Sequence, residues 1–197
     1  MAKAKIRARH KGERYVYIHN DLLNAASYFK GIIERKQKDG GEAIGLDCMA
    51  CLVMLAFTFE ANINFLGDHF LKGWKEMSPF NSKVKKVLEA FGIERDESKR
   101  PYSSILLAKK VRDTLAHGKP IKEKFDEEVE GTLEELERKV PLVGDWEQHC
   151  KPEIALMVYE DMDALWKELM KAAKLEVWDT MTSGQSGLAV IEALVVE

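Results

Sequence analysis

Apolar side chains recur every three to four positions along several long segments, the spacing of one face of an α-helix. Helix-ending residues follow these segments, among them Gly40-Gly41, Gly92, and Gly118 with Pro120. The pattern predicts an all-α fold with helices over about 20–38, 46–71, 81–91, 103–117 and 152–174. An acidic stretch over 123–137 is interpreted as a solvated face, with an exposed helix interrupted at Gly131, and residues 140–150 as a loop.

The segment over about 46–71 has the strongest pattern. Between Cys48 and Phe57 it is apolar on nearly every side, which indicates a helix covered by neighbours on several faces. Glu60, Asn64 and Asp68 then follow at a spacing of four, which places them on one helix face. We interpret Asp68 as solvated, and Glu60 and Asn64 as functional, because an apolar helix has little reason to bury such groups without partners.

Both ends of the chain differ from this helical middle. The first 14 residues are basic, with seven basic side chains and one acidic one: Lys3, Lys5, Arg7, Arg9, His10, Lys11, Arg14 and Glu13. This arm is either a solvated tail or a phosphate-contacting arm. The end of the chain has two semi-apolar runs around 183–187, which favours a short β-hairpin or a docking tail. We therefore divide the chain into a basic N-terminal arm (1–19), a helical bundle domain (20–175) and a C-terminal tail or hairpin (176–197).

Composition and charge narrow the class of protein. A hydrophobic fraction of 46% is enough to build a core, and a net charge of −3 means that any nucleic-acid contact needs a local basic patch. No apolar run reaches membrane-spanning length, and no secretory core follows the basic start of the chain. These features predict a cytoplasmic protein without membrane contact.

Three cysteines do not form a disulfide framework. Cys48 and Cys51 have Cys-x-x-Cys spacing, and His149 with Cys150 completes four zinc ligands on paper. The pair lies inside an apolar helix, however, where free cysteine behaves as a small hydrophobe, whereas structural zinc ligands are usually on turns. We expect no metal and no cofactor.

The best candidate for chemistry is the segment from Arg112 to His117, at the end of a predicted helix, with Asp113 directly after the arginine. Histidine can shuttle a proton near neutral pH, and the planar arginine fork can hold a phosphate. Five helical steps separate the two side chains by about 140°, but Gly118 would let the last turn unwind and redirect His117. Arg14 and His19 have the same spacing. They are discounted because Tyr15 is not polar and no long helix precedes them.

Arg112, Asp113 and His117, after a long apolar helix that carries Glu60 and Asn64, resemble the motif of the HEPN superfamily. The resemblance covers about residues 20–117, with the 152–174 helix as a closing member. It implies an up-and-down helical bundle with a short C-terminal appendage or β-hairpin. It also implies a homodimer in which two motifs face each other across the interface.

Many HEPN proteins are metal-independent ribonucleases in toxin–antitoxin systems, phage defence or RNA processing, while others only bind. By this resemblance, His117 is the proton shuttle and Arg112 the phosphate clamp. Asp113 holds the motif geometry, and Glu60 and Asn64 support it. RNA is the expected substrate, and an antitoxin or other protein a possible partner. The alternative is a non-catalytic HEPN-like protein that binds a protein, a nucleotide or RNA.

Overall fold

The computed structural model describes residues 5–120, 122, 124, 126, 128–139 and 144–194. Within them the chain is mostly helical, as the apolar spacing predicted, and the long helices begin within two residues of the predicted positions. The elements are β1 (Lys5–Tyr15), α1 (Ile18–Asp39), α2 (Ile44–Phe70), α3 (Phe80–Ala90), α4 (Tyr102–His117), α5 (Leu133–Lys139), α6 (Pro152–Ala173) and β2 (Ser183–Leu194), with 3₁₀ turns at Glu147–His149 and Val177–Thr180.

Parts of four predictions lie outside the described residues: Lys3 in the basic arm, Glu123 and Glu127 in the acidic stretch, residues 140–143 of the predicted loop, and the end of the tail, 195–197. In the described part of the acidic stretch, helix α5 begins only after Gly131. Residues 144–150 include a 3₁₀ turn in the segment predicted as a loop.

Helix α2 forms the centre of the bundle. Helices α1, α3, α4 and α6 all pack against it, and α6 also contacts α1 and α4. Most of the apolar side chains of α2 are therefore buried, including Cys51, Leu52 and Ile63 at 0% exposure, whereas Leu46 and Phe57 are exposed. The apolar segment without a polar face thus became the helix with the most neighbours, because a central helix can bury several of its sides.

By length and composition, α2 is also apolar enough to cross a membrane. The sequence-based statement that no apolar segment reaches that length is therefore wrong. Its buried residues, which extend from Cys48 to Gly67, are covered by other helices of the same chain. The core helix of a soluble protein passes the same length and composition test.

The two ends of the chain pair with each other. Strands β1 and β2 form a two-stranded antiparallel ribbon from Tyr15↔Ser183 to Lys5↔Leu194, with a bulge opposite the Arg7–Ala8 step. Side chains along β1 are exposed except that of Ala8, which is half-buried.

This ribbon corrects the predictions for both ends. The arm is a β-strand instead of a tail, and residues 183–187 lie within one strand instead of forming the turn of a local hairpin. Glycine there serves close backbone approach, because a Cβ on Gly184 would lie 2.7 Å from the carbonyl oxygen of Glu13. The turn-like composition indicated a local reversal, but the pairing partner was about 170 residues away, beyond the reach of local patterns.

We predict opposite effects of alanine at two helical glycines. A Cβ on Gly67 in α2 would lie 2.3 Å from the Trp74 ring, whereas a Cβ on Gly31 in α1 meets no atom within 4 Å. Gly67→Ala should lower the free energy of unfolding by about 1–3 kcal/mol through overpacking. Gly31→Ala should raise it by about 0.5–1 kcal/mol. Urea denaturation followed by circular dichroism measures both, and shifts of the same sign would contradict this account of the packing.

Candidate functional site

Helix α4 carries the arginine–histidine segment and is helical through His117. Its inner face, which includes Ile105, Ala108 and Val111, is buried in the core. Gly118 ends the helix in the left-handed conformation, with φ 53°, and its N–H donates to the Thr114 carbonyl at 3.2 Å. The last turn is therefore not unwound, contrary to the interpretation of Gly118 from the sequence.

Within one protomer, Arg112 and His117 consequently point in different directions. Five residues of a regular helix separate two side chains by about 140° around the axis and about 7.5 Å along it. Arg112 lies at the edge of the contact with α2, whereas His117 is exposed at the helix end.

Arg112 is held by two carboxylates and an aromatic ring. Its Nη2 donates to Glu60 Oε2 at 2.9 Å, and its Nη1 lies 3.1 Å from Asp113 Oδ1. The guanidinium carbon lies 5.2 Å from the centroid of the Phe57 ring, within cation–π range. The arginine side chain is only 18% exposed. The structure thus brings together Arg112, Asp113 and Glu60, three of the residues singled out from the sequence.

Two lysines that the sequence analysis missed extend this cluster. The ammonium of Lys83 on α3, with a side chain 3% exposed, donates to Glu60 Oε1 at 2.6 Å and to the Glu76 carbonyl at 2.9 Å. Lys109 forms an ion pair with Asp113, four residues further along α4. The spacing of four could have revealed Lys109. Nothing local could have revealed Lys83, which is 23 residues from Glu60.

Asn64 does not join the cluster, although it lies one turn beyond Glu60 on α2. It lines a groove of about 770 Å³ together with Asp68, Tyr15 and Glu76, among other residues. Its Oδ1 is buried without a hydrogen-bond partner among the described residues. The polar stripe of α2 is therefore divided, with Glu60 facing Arg112 while Asn64 and the exposed Asp68 face the groove.

His117 lies in a separate, shallow depression of about 290 Å³, which it lines with Asp113, Thr114 and Lys119. In the part of the chain that the structure describes, no hydrogen bond or ion pair engages its imidazole. Asp113 links the two halves of the segment, because it contacts Arg112 and also lines the depression beside His117.

The second arginine–histidine pair with the same spacing, Arg14 and His19, is also kept apart. Arg14 lies on the exposed strand β1, whereas His19 is 3% exposed among the rings of Tyr17, Phe65 and Trp166. Burial lowers the pKa of His19, although a hydrogen bond to the Thr180 backbone opposes the shift. His19 is therefore part of the aromatic core, away from Arg14.

The cysteines belong to the core. Burial raises the pKa of Cys48 to about 11 and that of Cys51 to about 12. Burial also raises the pKa of Cys150. The Cys51 thiol donates to the Ala26 carbonyl at 3.6 Å. Within the described ranges, no group of three or more His, Cys, Asp and Glu side chains is arranged to hold a metal ion.

Comparison with known proteins does not extend this description. No protein-family model matches the sequence, and neither a curated protein nor a solved structure is significantly similar to it.

We predict unequal costs of removing the two ends of the Lys83–Glu60 ion pair. Glu60→Gln leaves the buried Lys83 ammonium without its carboxylate and should lower the free energy of unfolding by about 2–4 kcal/mol. Lys83→Met removes the buried charge itself, while Glu60 keeps Arg112, and should cost about 1 kcal/mol or less. Urea denaturation at neutral pH measures both.

The double variant is the control for this prediction. Glu60→Gln with Lys83→Met should be more stable than Glu60→Gln alone, because no uncompensated ammonium remains buried. A double variant less stable than both single variants would show that the pair does not act through its charge.

Proposed function

We propose that this protein is a HEPN-like, metal-independent endoribonuclease that cleaves RNA by attack of a 2′-hydroxyl on the adjacent phosphate and acts as a cytoplasmic homodimer. The observation that carries the proposal is the fixation of Arg112 by Glu60 at a partly exposed surface of α4, with Asp113 between Arg112 and the exposed His117.

Arg112 retains donors for a phosphate. A guanidinium has five N–H groups. Glu60 and Asp113 engage one each, and the Nε atom is buried. Two N–H groups therefore remain, one on each η nitrogen. An arginine already oriented by Glu60 loses little conformational freedom when it binds a phosphate, and it stabilises the charge that develops on the phosphate during cleavage.

His117 supplies the proton transfer. Cleavage requires removal of a proton from the 2′-hydroxyl, attack of that oxygen on phosphorus, and donation of a proton to the departing 5′-oxygen. The products are a 2′,3′-cyclic phosphate and a 5′-hydroxyl, and no redox step or metal is involved. An exposed imidazole without a competing partner among the described residues is suited to this role.

A homodimer would unite the two halves of the site. Since Arg112 and His117 diverge by about 140° in one protomer, we place the Arg112 of one copy opposite the His117 of its partner. An apolar stripe on α2 supports this interface: Leu46, Val53 and Phe57 follow spacings of seven and four, and Leu46 is 62% exposed. The stripe ends at Phe57, directly beneath Arg112.

We predict cleavage of single-stranded RNA in the presence of EDTA by the unmodified chain. His117→Ala should lower the rate at least about a hundredfold, because general acid–base catalysis contributes about 10²–10⁴. Arg112→Lys should also lower it strongly, because lysine keeps the charge but loses the planar fork. A gel assay with end-labelled RNA, and detection of the cyclic phosphate, measures both effects.

Matched variants complete this assay. His149→Ala and Arg35→Lys lie outside the site and should leave the rate unchanged, and 2′-O-methyl RNA should resist cleavage because it lacks the attacking hydroxyl. Cleavage of the methylated RNA, or equal rates for His117→Ala and the unmodified chain, would remove the catalytic assignment.

For the dimer, we predict that Leu46→Glu raises the dissociation constant by about tenfold or more, because it places a charge in the apolar stripe. Met77→Glu, at a residue 91% exposed outside the stripe, is the control and should have no such effect. Sedimentation velocity over a range of protein concentrations measures both. A chain that remains monomeric at every concentration would exclude the shared site.

The alternative function is non-catalytic binding of RNA, a nucleotide or a protein by the same fold. It is favoured by the engagement of both η nitrogens of Arg112 with carboxylates, which weakens the attraction for a phosphate. In that case His117→Ala leaves binding intact. If the chain is instead catalytic, as we propose, its role belongs to a toxin–antitoxin system or to phage defence, in which an antitoxin or another protein would restrain the cleavage of RNA.

A further inference from the structure

The β1–β2 ribbon presents basic side chains on one face. Successive side chains of a strand point to opposite sides, so Lys5, Arg7, Arg9 and Lys11 share a face at intervals of about 6.8 Å. All four are exposed. Small residues lie across from the two that are nearest the base of the ribbon, Ala189 opposite Arg9 and Gly187 opposite Lys11. Glu192 pairs with Arg7 at 3.1 Å, which leaves the other three charges free of an ion pair within the described residues.

The opposite face of the ribbon is largely apolar. Ile6 is 50% exposed, and Leu188 and Val190 lie on this side of β2 across from His10 and Ala8. His10 and Arg14 also lie on this side, but the row of four basic side chains lies on the other side of a thin ribbon. This arrangement is unsuited to a membrane surface, because that row would point away from the lipid phosphates whenever the apolar face was inserted.

We infer that the ribbon is an arm that binds the phosphodiester backbone of single-stranded RNA through its basic face and directs the strand toward the α2–α4 site. A regular row of cations on an extended scaffold complements the regular negative charges of a nucleic-acid backbone. The contacts carry no sequence information, because phosphates are the same at every position. The direction of the strand toward the α2–α4 site rests on the proposed function, whereas the binding of RNA to the ribbon does not.

The base of the ribbon joins the groove already described. Tyr15 and Ser183 form the last pair of the ribbon, and both line this groove. Glu76, which also lines it, accepts a hydrogen bond at its carbonyl from Lys83. The same lysine holds Glu60, the partner of Arg112. Lys83 itself is buried, but Asn64 lines the groove one helical turn from Glu60 on α2, so the groove lies beside the residue that holds the arginine.

The chemistry of the surface changes along this path. The carboxylates of Asp68 and Glu76 disfavour phosphates in the groove, whereas Tyr15, 59% exposed, and the exposed His69 present rings on which bases can stack. The backbone therefore binds to the ribbon, and the bases enter the groove.

The test uses the full chain and an uncleavable probe, a short fluorescein-labelled 2′-O-methyl oligoribonucleotide, in fluorescence anisotropy titrations from about 50 to 200 mM salt. Arg9→Glu with Lys11→Glu should weaken binding about tenfold or more. It should also reduce the slope of log K against log salt by about 1.4, which is two phosphate contacts at about 0.7 each for a single strand. A DNA oligonucleotide should show the same losses, because the ribbon contacts only the backbone.

The matched control is Lys85→Glu with Lys86→Glu, which makes the same change of net charge on the exposed side of α3. It should leave the affinity and the salt slope near those of the unmodified chain. Tyr15→Leu should weaken binding about tenfold without changing the salt slope, because it removes a stacking surface and no charge.

Equal losses for the two charge-reversed pairs, or no binding by the unmodified chain, would overturn the inference. So would ribbon-dependent binding to phosphatidylserine vesicles without binding to the oligonucleotide. Ribbon-dependent binding by a chain that fails to cleave ordinary RNA would uphold the arm and refute the ribonuclease. If the unmodified chain cleaves RNA and the ribbon variant binds and cleaves RNA equally well, the ribonuclease is upheld and the arm is refuted.

Discussion

The carboxylate of Glu60 holds three helices in register. It extends from α2 and accepts hydrogen bonds from Lys83 on α3 and Arg112 on α4, one on each oxygen. A half-buried carboxylate and a fully buried ammonium are costly unless each has partners, so each group depends on the others remaining in place. The position of Arg112, and with it any chemistry at this surface, therefore depends on the packing of α3 against α2.

The helices were predictable because the sequence features that specify a helix lie within the helix and at its ends. Apolar spacing and glycine ends located them from short windows of sequence, and the loss of a polar face in α2 indicated its central position. The β-ribbon was not predictable by these means. Its two strands lie at opposite ends of the chain, and Gly184 in β2 serves close approach to β1 instead of a turn. Pairing at such a distance is decided by the tertiary fold.

The candidate site was likewise predictable only where neighbouring positions along one helix determine it. The stripe of Glu60 and Asn64 was placed on one face of α2 from spacing alone, but only the packed bundle separates their environments. The role of Lys83 was not predictable, because a lysine on a short helix is ordinarily exposed. The burial of Lys83 results from contact with an element that is distant in sequence. The equal spacing of Arg14–His19 and Arg112–His117 makes the same point, since the first pair is divided between a strand and the core. Residue spacing indicates which groups can meet, whereas packing decides which of them remain available for chemistry.

The rigidity of Arg112 has opposing consequences for phosphate binding. Orientation by Glu60 reduces the entropy lost on binding, while two neighbouring carboxylates reduce the attraction. Lys83 and Lys109 offset those carboxylates, so the network of three cations and two anions keeps a net positive charge. The same rigidity prevents one protomer from turning Arg112 toward its own His117. In the function that we propose, binding and cleavage are therefore separable: the ribbon and groove of a single copy would hold a strand, whereas proton transfer at the phosphate would need the imidazole of a second copy.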